Sequence, residues 1–176
     1  MGRRDAGLLL AMIGLGLWRS EVIGLDRDDL AEERDEERFE VTVREKGRKI
    51  RVVYADNSVH WALRDWLTVR GDQGGPLFWS GHRLGKLYPV RRLSDRGLYF
   101  MFGRRAADAG VLAVTPHDMR RSLTSDLLDA GIDIVTVSHI LGHASVQTTA
   151  RYDRRAERAK KRAASLGRPR VRRRRS

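Results

Sequence analysis

Only one segment of the chain carries the two-residue apolar rhythm of paired strands. In RFEVTVREKGRKIRVVYA, Phe39, Val41 and Val43 alternate with polar residues. A polar EKGRK follows, with Lys46 and Gly47 at its turn, and Ile50, Val52 and Tyr54 resume the alternation. This predicts a single antiparallel hairpin. Most of the remaining chain is punctuated as helices, each with a polar cap, apolar residues three or four apart and a glycine stop. Residues 5–24 read as one core helix, apolar on most sides and weakened by Gly14 and Gly16. Further helices run from Ser58 to Gly71, Ser94 to Gly110 and Thr115 to Gly131, then to a stop at Gly142, and last from Ser145 to Gly167. LDRDDLAEERDEER reads as an exposed connector and GGPLFWSGHRLGK as a loop. The expected fold is α+β, mainly α, with helices around a small antiparallel sheet, and residues 1–165 share one core.

Charge narrows the class of partner. Of the net +12, residues 154–176 carry +11, with ten arginines, two lysines and Glu157, so the preceding domain is nearly neutral. Such a polycationic tail, ending in RPRVRRRRS, suits a polyphosphate or an anionic membrane surface. The chain has no cysteine, which excludes disulfides and thiolate metal sites and fits the cytoplasm. MGRRDAGLLLAMIGLGLW has the outline of a secretory signal, but it lacks a small-x-small cleavage site and is too short to span a bilayer. A buried helix is expected there, and no membrane partner.

The segment TPHDMRRSL opens a helix with an anion-seeking face. Thr115 suits the N-cap, Pro116 the first helical position and Asp118 the third. His117 and Arg120, three apart, project from one face of the first turn, where backbone N–H groups and the helix dipole already favour an anion. His143 follows a helix-stopping glycine in LGHAS. Tyr152 lies among arginines in TTARYDRR. Taken singly, a histidine at a cap, a tyrosine in an amphipathic helix or a lysine in a turn has an ordinary structural explanation. His139 and His143 have HxxxH spacing, but Gly142 separates them and no acidic third ligand is near, so no metal is expected.

Order and spacing give these residues a joint meaning. TPHDMRRSLTSDLLDAGIDIVTVSHILGHASVQTTARYDR resembles the carboxyl-terminal signature of the tyrosine recombinase, or phage integrase, family. That pattern is His-x-x-Arg at a helix start, then Leu-Gly-His, then a tyrosine nine residues later. His117, Arg120, His143 and Tyr152 are in register with it. EKGRKIRVV resembles the family's hairpin lysine motif and puts Lys46 in that role, with Lys49 as the second candidate. GLGLWRSEVIGLDRDDL resembles the family's first box. The resemblance implies that Tyr152 attacks a DNA phosphorus to give a 3′-phosphotyrosine and a free 5′-hydroxyl, without ATP or any other cofactor. Arg120, His117 and His143 would hold the non-bridging oxygens and Lys46 would protonate the departing 5′-oxygen. Arg121, Arg151, Arg168, Arg170, Arg172, Arg173, Arg174 and Arg175 are the expected phosphate contacts. The implied partners are double-stranded DNA and further copies of the chain, as a tetramer on DNA, in a nucleoid-associated enzyme of a mobile element.

Three departures qualify that reading. The family's first-box arginine stands two residues before the Ser-Glu pair, where this chain has Trp18; Arg19 follows at the variable position. Either the catalytic arginine has been lost, or the local backbone turns Arg19 into the site. On a regular helix one position rotates a side chain by about 100°, so loss is expected, with activity reduced or abolished. A DNA-binding remnant that does not turn over is the alternative. Second, the family's amino-terminal core-binding domain is not expected within these residues, whether the chain is a fragment, a truncated gene product or a minimal form. Third, residues 166–176 are too charged to pack as the family's terminal docking element, and are expected to form a disordered phosphate-binding arm.

Overall fold

The computed structural model describes residues 2–33, 37–44, 49–82, 86–112, 114–153 and 164. Lys46 and the arginines from Arg168 onward lie outside the described residues. The expected first helix is two. Helix α1 (Arg3–Leu15) ends at Gly16, which adopts the left-handed conformation at φ 61°, and α2 (Arg19–Gly24) starts afresh from Trp18 as N-cap. A side chain is strained at a φ in this region, and here Leu141 and Leu123 also crowd the place a Cβ would take. Leu8, Ala11, Met12 and Leu15 bury one side of α1, as expected of a core helix.

The acidic connector is not wholly exposed. It holds a 3-10 turn (Arg27–Asp29) and strand β1 (Leu30–Glu33), with Asp29 and Leu30 buried. β1 pairs with β2 (Arg38–Arg44), which pairs with β3 (Ile50–Ala55), giving an antiparallel three-stranded sheet. Its buried face is built from Leu30, Phe39, Val41, Val43, Val53 and Ala55. The alternating Ile50, Val52 and Tyr54 face outward instead, while Arg51 shares the inner phase with Val53. A second, two-stranded sheet joins β4 (Trp79–Gly81) to β5 (Leu87–Arg92), where a loop and unassigned chain were expected.

The other helices follow their punctuation closely except the last, expected from Ser145 to Gly167, which ends at Ala150 and gives way to a turn at residues 151–152; residues 154–163 and 165–167 lie outside the described residues. They are α3 (Asn57–Arg70), capped by Asp56 rather than Ser58, α4 (Asp95–Asp108), α5 (Pro116–Asp129), α6 (Ile134–Leu141) and α7 (Val146–Ala150). At the start of α5 the Thr115 hydroxyl accepts from Asp118 N–H, and the Asp118 carboxylate accepts from Thr115 N–H at 2.9 Å. Helix α1 crosses α3 closely because a Cβ at Gly7 would already stand 3.2 Å from the Ala62 carbonyl oxygen and 3.4 Å from Trp66 Cβ.

Two apolar clusters result. The larger unites α1, α2, the three-stranded sheet, α3, Leu77 to Trp79 and α4; the smaller is Leu128, Val137 and Leu141, with Leu123, Leu127 and Ile134 against them. The seam between them brings together the ends of α1 and α6 and the start of α5.

Candidate active site

Three helix ends deliver the sequence-marked residues: the start of α5, the end of α6 and the end of α7. The box of Thr115 and Asp118 fixes the first turn of α5, which carries His117 outward and Arg120 inward. Helix α6 ends at Gly142 (φ 63°), and the His143 N–H donates to the Ser138 carbonyl at 2.9 Å, so His143 leaves the helix at a bend. Tyr152 lies in the turn after α7, not within a long helix, and its N–H donates to the Thr149 carbonyl at 2.9 Å.

These pieces meet. The Tyr152 hydroxyl is 3.1 Å from His117 Nε2, and the two rings are edge-on with centroids 6.1 Å apart. His143 Nδ1 lies 2.7 Å from the Thr149 hydroxyl. Burial pushes the His143 imidazole down from its ordinary value to about 4, and the positive charges of Arg120, Arg51 and His117 add to the effect. His143 is therefore neutral near pH 7. A cleft of about 700 Å³ opens here, bounded by Trp18, Glu21, Lys49, Arg51, His139 and His143. Lys49, the second lysine candidate, thus reaches the same cleft. A separate cavity of about 620 Å³ at the far end of α1, lined by Asp5, Trp66, Met101 and Arg105 among others, contains none of the sequence-marked site residues.

Trp18 stands in the middle of this cluster. Its ring stacks on His117 at 6.4 Å between centroids, lies tilted 6.4 Å from His143, and has the Arg120 guanidinium carbon 4.1 Å from its centroid. Arg120 is 2% exposed. Its Nη1 donates to the Gly16 carbonyl and its Nη2 to the Leu141 carbonyl, while the indole covers one face. The guanidinium thus ties the last turns of α1 and α6 to α5. Arg19 turns away from the cleft: its Nε pairs with the Asp95 carboxylate at 3.1 Å and its Nη1 donates to the Tyr99 hydroxyl at 3.3 Å. The helix break at Gly16 explains the choice. Positions 18 and 19 are the cap and first residue of a new helix, so the cap faces the seam and its neighbour faces α4.

Two contributors were not foreseen from the sequence. Glu21, 8% exposed, accepts from Arg51 Nη1 at 2.7 Å and Nη2 at 2.9 Å and from Trp18 N–H at 2.7 Å, and Arg51 Nε donates to the Ile140 carbonyl at 3.1 Å. This network locks α2, β3 and the end of α6 around the cleft. No sequence signal marked this pair, because Arg51 stands at the phase opposite the apolar Ile50, Val52 and Tyr54 and only the structure turns that phase inward. The other is Thr149, fully buried on α7, which the spacing did not distinguish from Thr148.

The phage integrase family profile matches residues 2–158. The chain belongs to the phage integrase family. Among curated members, tyrosine recombinase XerC of Corynebacterium glutamicum is 34% identical over 151 residues, covering 85% of this chain and 46% of that protein. Tyrosine recombinase XerA of Thermococcus kodakarensis is 34% identical over 151 residues, covering 85% and 50%. This integrase-family chain therefore spans about half the length of the curated relatives it matches. Its fold is that of the XerH recombinase bound to palindromic difH substrate in a post-cleavage complex, with a TM-score of 0.74, 24% identity and 93% and 46% of the two chains covered. The XerA recombinase crystal structure matches with a TM-score of 0.71 at 25% identity, covering 96% of this chain and 58% of that one. The α+β fold expected from the sequence is thus the integrase catalytic fold.

Proposed function

We propose that this integrase-family chain is the strand-cleaving and rejoining module of a tyrosine recombinase acting on double-stranded DNA, with its chemical step slowed by Trp18. The observation that carries the reading is the 3.1 Å approach of the Tyr152 hydroxyl to His117 Nε2, with the His117 ring stacked on Trp18, which lines the cleft together with His143. In this geometry His117 Nε2 is placed to accept the phenol proton as Tyr152 Oη bonds to the scissile phosphorus. The P–O5′ bond breaks, a lysine of the hairpin, Lys46 or Lys49, gives its proton to the leaving 5′-oxygen, and a 3′-phosphotyrosine remains. Attack by a second strand's 5′-hydroxyl reverses these steps. The phosphoester energy is kept in the covalent link, so the cycle needs no ATP. His143 contributes a hydrogen bond to a non-bridging oxygen. Exposed Arg121 and Arg151, with the arginine tail, neutralise flanking phosphates. Assembly on DNA as a tetramer, in the cytoplasm and with the nucleoid, completes the reading.

The slowing has a physical cause. An indole cannot supply the charge or the fork of donors of a guanidinium. Loss of one preorganised donor costs about 10²–10³ in rate. A second reading, a DNA-binding member that never cleaves, is favoured by the 2% exposure of Arg120 under the indole. A nicked suicide substrate separates the two. The first reading expects a slow denaturant-stable adduct that Tyr152→Phe abolishes and that Trp18→Arg accelerates at least about tenfold. DNA binding with no adduct in either the unaltered chain or Trp18→Arg establishes the second.

A further inference from the structure

Thr149 touches both Tyr152 and His143. Its carbonyl accepts from the Tyr152 N–H at 2.9 Å, and its hydroxyl lies 2.7 Å from His143 Nδ1. Thr149 is fully buried, on a helix whose N-terminus is fixed by Ser145, whose hydroxyl accepts from Gln147 N–H. The backbone of His143 is held by a different element, the end of α6. The ring is therefore gripped from α7 and its main chain from α6.

A neutral imidazole has one N–H and one bare nitrogen, and the partner of one nitrogen decides which is which. Were Nδ1 to donate, the Thr149 hydroxyl proton would need another acceptor in a fully buried site. Among the described residues the Thr149 hydroxyl has no second hydrogen-bond partner. An unpaired buried hydroxyl proton is costly. The lower-energy arrangement has the hydroxyl donating to Nδ1, which places the ring proton on Nε2, the nitrogen left for the cleft.

We propose that Thr149 is a positioning residue that fixes His143 in the Nε2–H form, making a neutral histidine a hydrogen-bond donor to the scissile phosphate and tying that donor to the docking of the Tyr152 segment. The proposal rests on the reading of His143 as a phosphate-facing group. The charged and titratable groups facing the ring and its cleft are Glu21 on α2, Lys49 and Arg51 at β3, His117 and Arg120 on α5 and His139 on α6. Cations predominate among them, and together with burial they keep the ring neutral, so its tautomer and not its charge sets what it can offer.

Tautomers are read directly by long-range proton–nitrogen NMR of the ¹⁵N-histidine-labelled chain, with no turnover required. A chain that never forms a DNA adduct therefore still answers the question. The His143 signals are identified among five histidines by their loss in His143→Gln. The expected result at pH 7 is a bare, pyridine-like Nδ1 and a protonated Nε2. Thr149→Val should convert this to a mixture of both tautomers, and Thr149→Ser should retain the single form. A protonated Nδ1 in the unaltered chain overturns the proposal without recourse to any variant. So does a Thr149→Val protein that folds and keeps the single Nε2–H form.

Discussion

Arg120 joins two roles in one side chain. The family pattern marks it for phosphate, yet here its Nη groups close the carbonyl ends of α1 and α6 and its face lies under Trp18. Arg120→Ala should therefore destabilise the fold by about 2–4 kcal/mol, since it strands two buried carbonyls and leaves a void. Arg120→Lys should recover little of that, because an ammonium cannot fork between two acceptors. Urea unfolding at pH 7 measures both. His143 gives a second test at this scale. Its folded value near 4 lies below the ordinary 6.5, so between those values the unfolded chain binds more protons than the folded one. Stability should fall as pH drops through that window, with no contribution from this ring above it. His143→Gln should show a smaller shift in urea midpoint between pH 7 and pH 4.5 than the unaltered chain. Equal shifts would place the titration elsewhere.

Among the elements, the cleft depends on short pieces held by ionic and helix-end contacts more than by long packed faces. The Glu21–Arg51 pair has side chains only 6% and 10% exposed and spans α2 and β3, while Arg51 also holds the end of α6. Removing one member, as in Arg51→Met, leaves a buried charge uncompensated and should cost about 3–5 kcal/mol, whereas the double variant Glu21→Leu with Arg51→Met should lie much closer to neutral. A thermodynamic cycle over the four proteins measures the coupling. Additive losses would show that the two groups act independently. The same network explains why α2 is placed so firmly despite its six residues: Glu21 caps it from inside through Trp18 N–H and anchors it from outside through Arg51.

At the level of the whole molecule, charge and chemistry are segregated. A nearly neutral folded domain carries the cleft, and residues 154–176 supply +11 of the net charge of +12. If the tail is a phosphate-binding arm, deleting residues 166–176 should flatten the slope of log affinity against log salt by several units while leaving the suicide-substrate cleavage rate of bound DNA unchanged. An unaltered slope would remove the tail from the interface. The domain itself is two apolar clusters with the cleft at their seam, so its halves are joined by α1 against α5 and by the Arg120 staple.

Local signals were legible where local physics decides. The capping box of Thr115 and Asp118, the glycine stops after α5 and α6, and the strand rhythm of Phe39, Val41 and Val43 all held, because each depends on neighbours along the chain. The spacing of His117, Arg120, His143 and Tyr152 was enough to name the family. The sequence could not reveal that residues 5–24 break at Gly16, that β1 completes a sheet, or that Ile50, Val52 and Tyr54 face outward. Those outcomes turn on long-range crowding by Leu141 and Leu123, on pairing across the acidic connector, and on which strand face meets α1. Only the tertiary structure decided that Trp18 lies on Arg120 while Arg19 pairs with Asp95, because the direction of a side chain at a helix cap is set by what packs around that cap and not by its place in the chain.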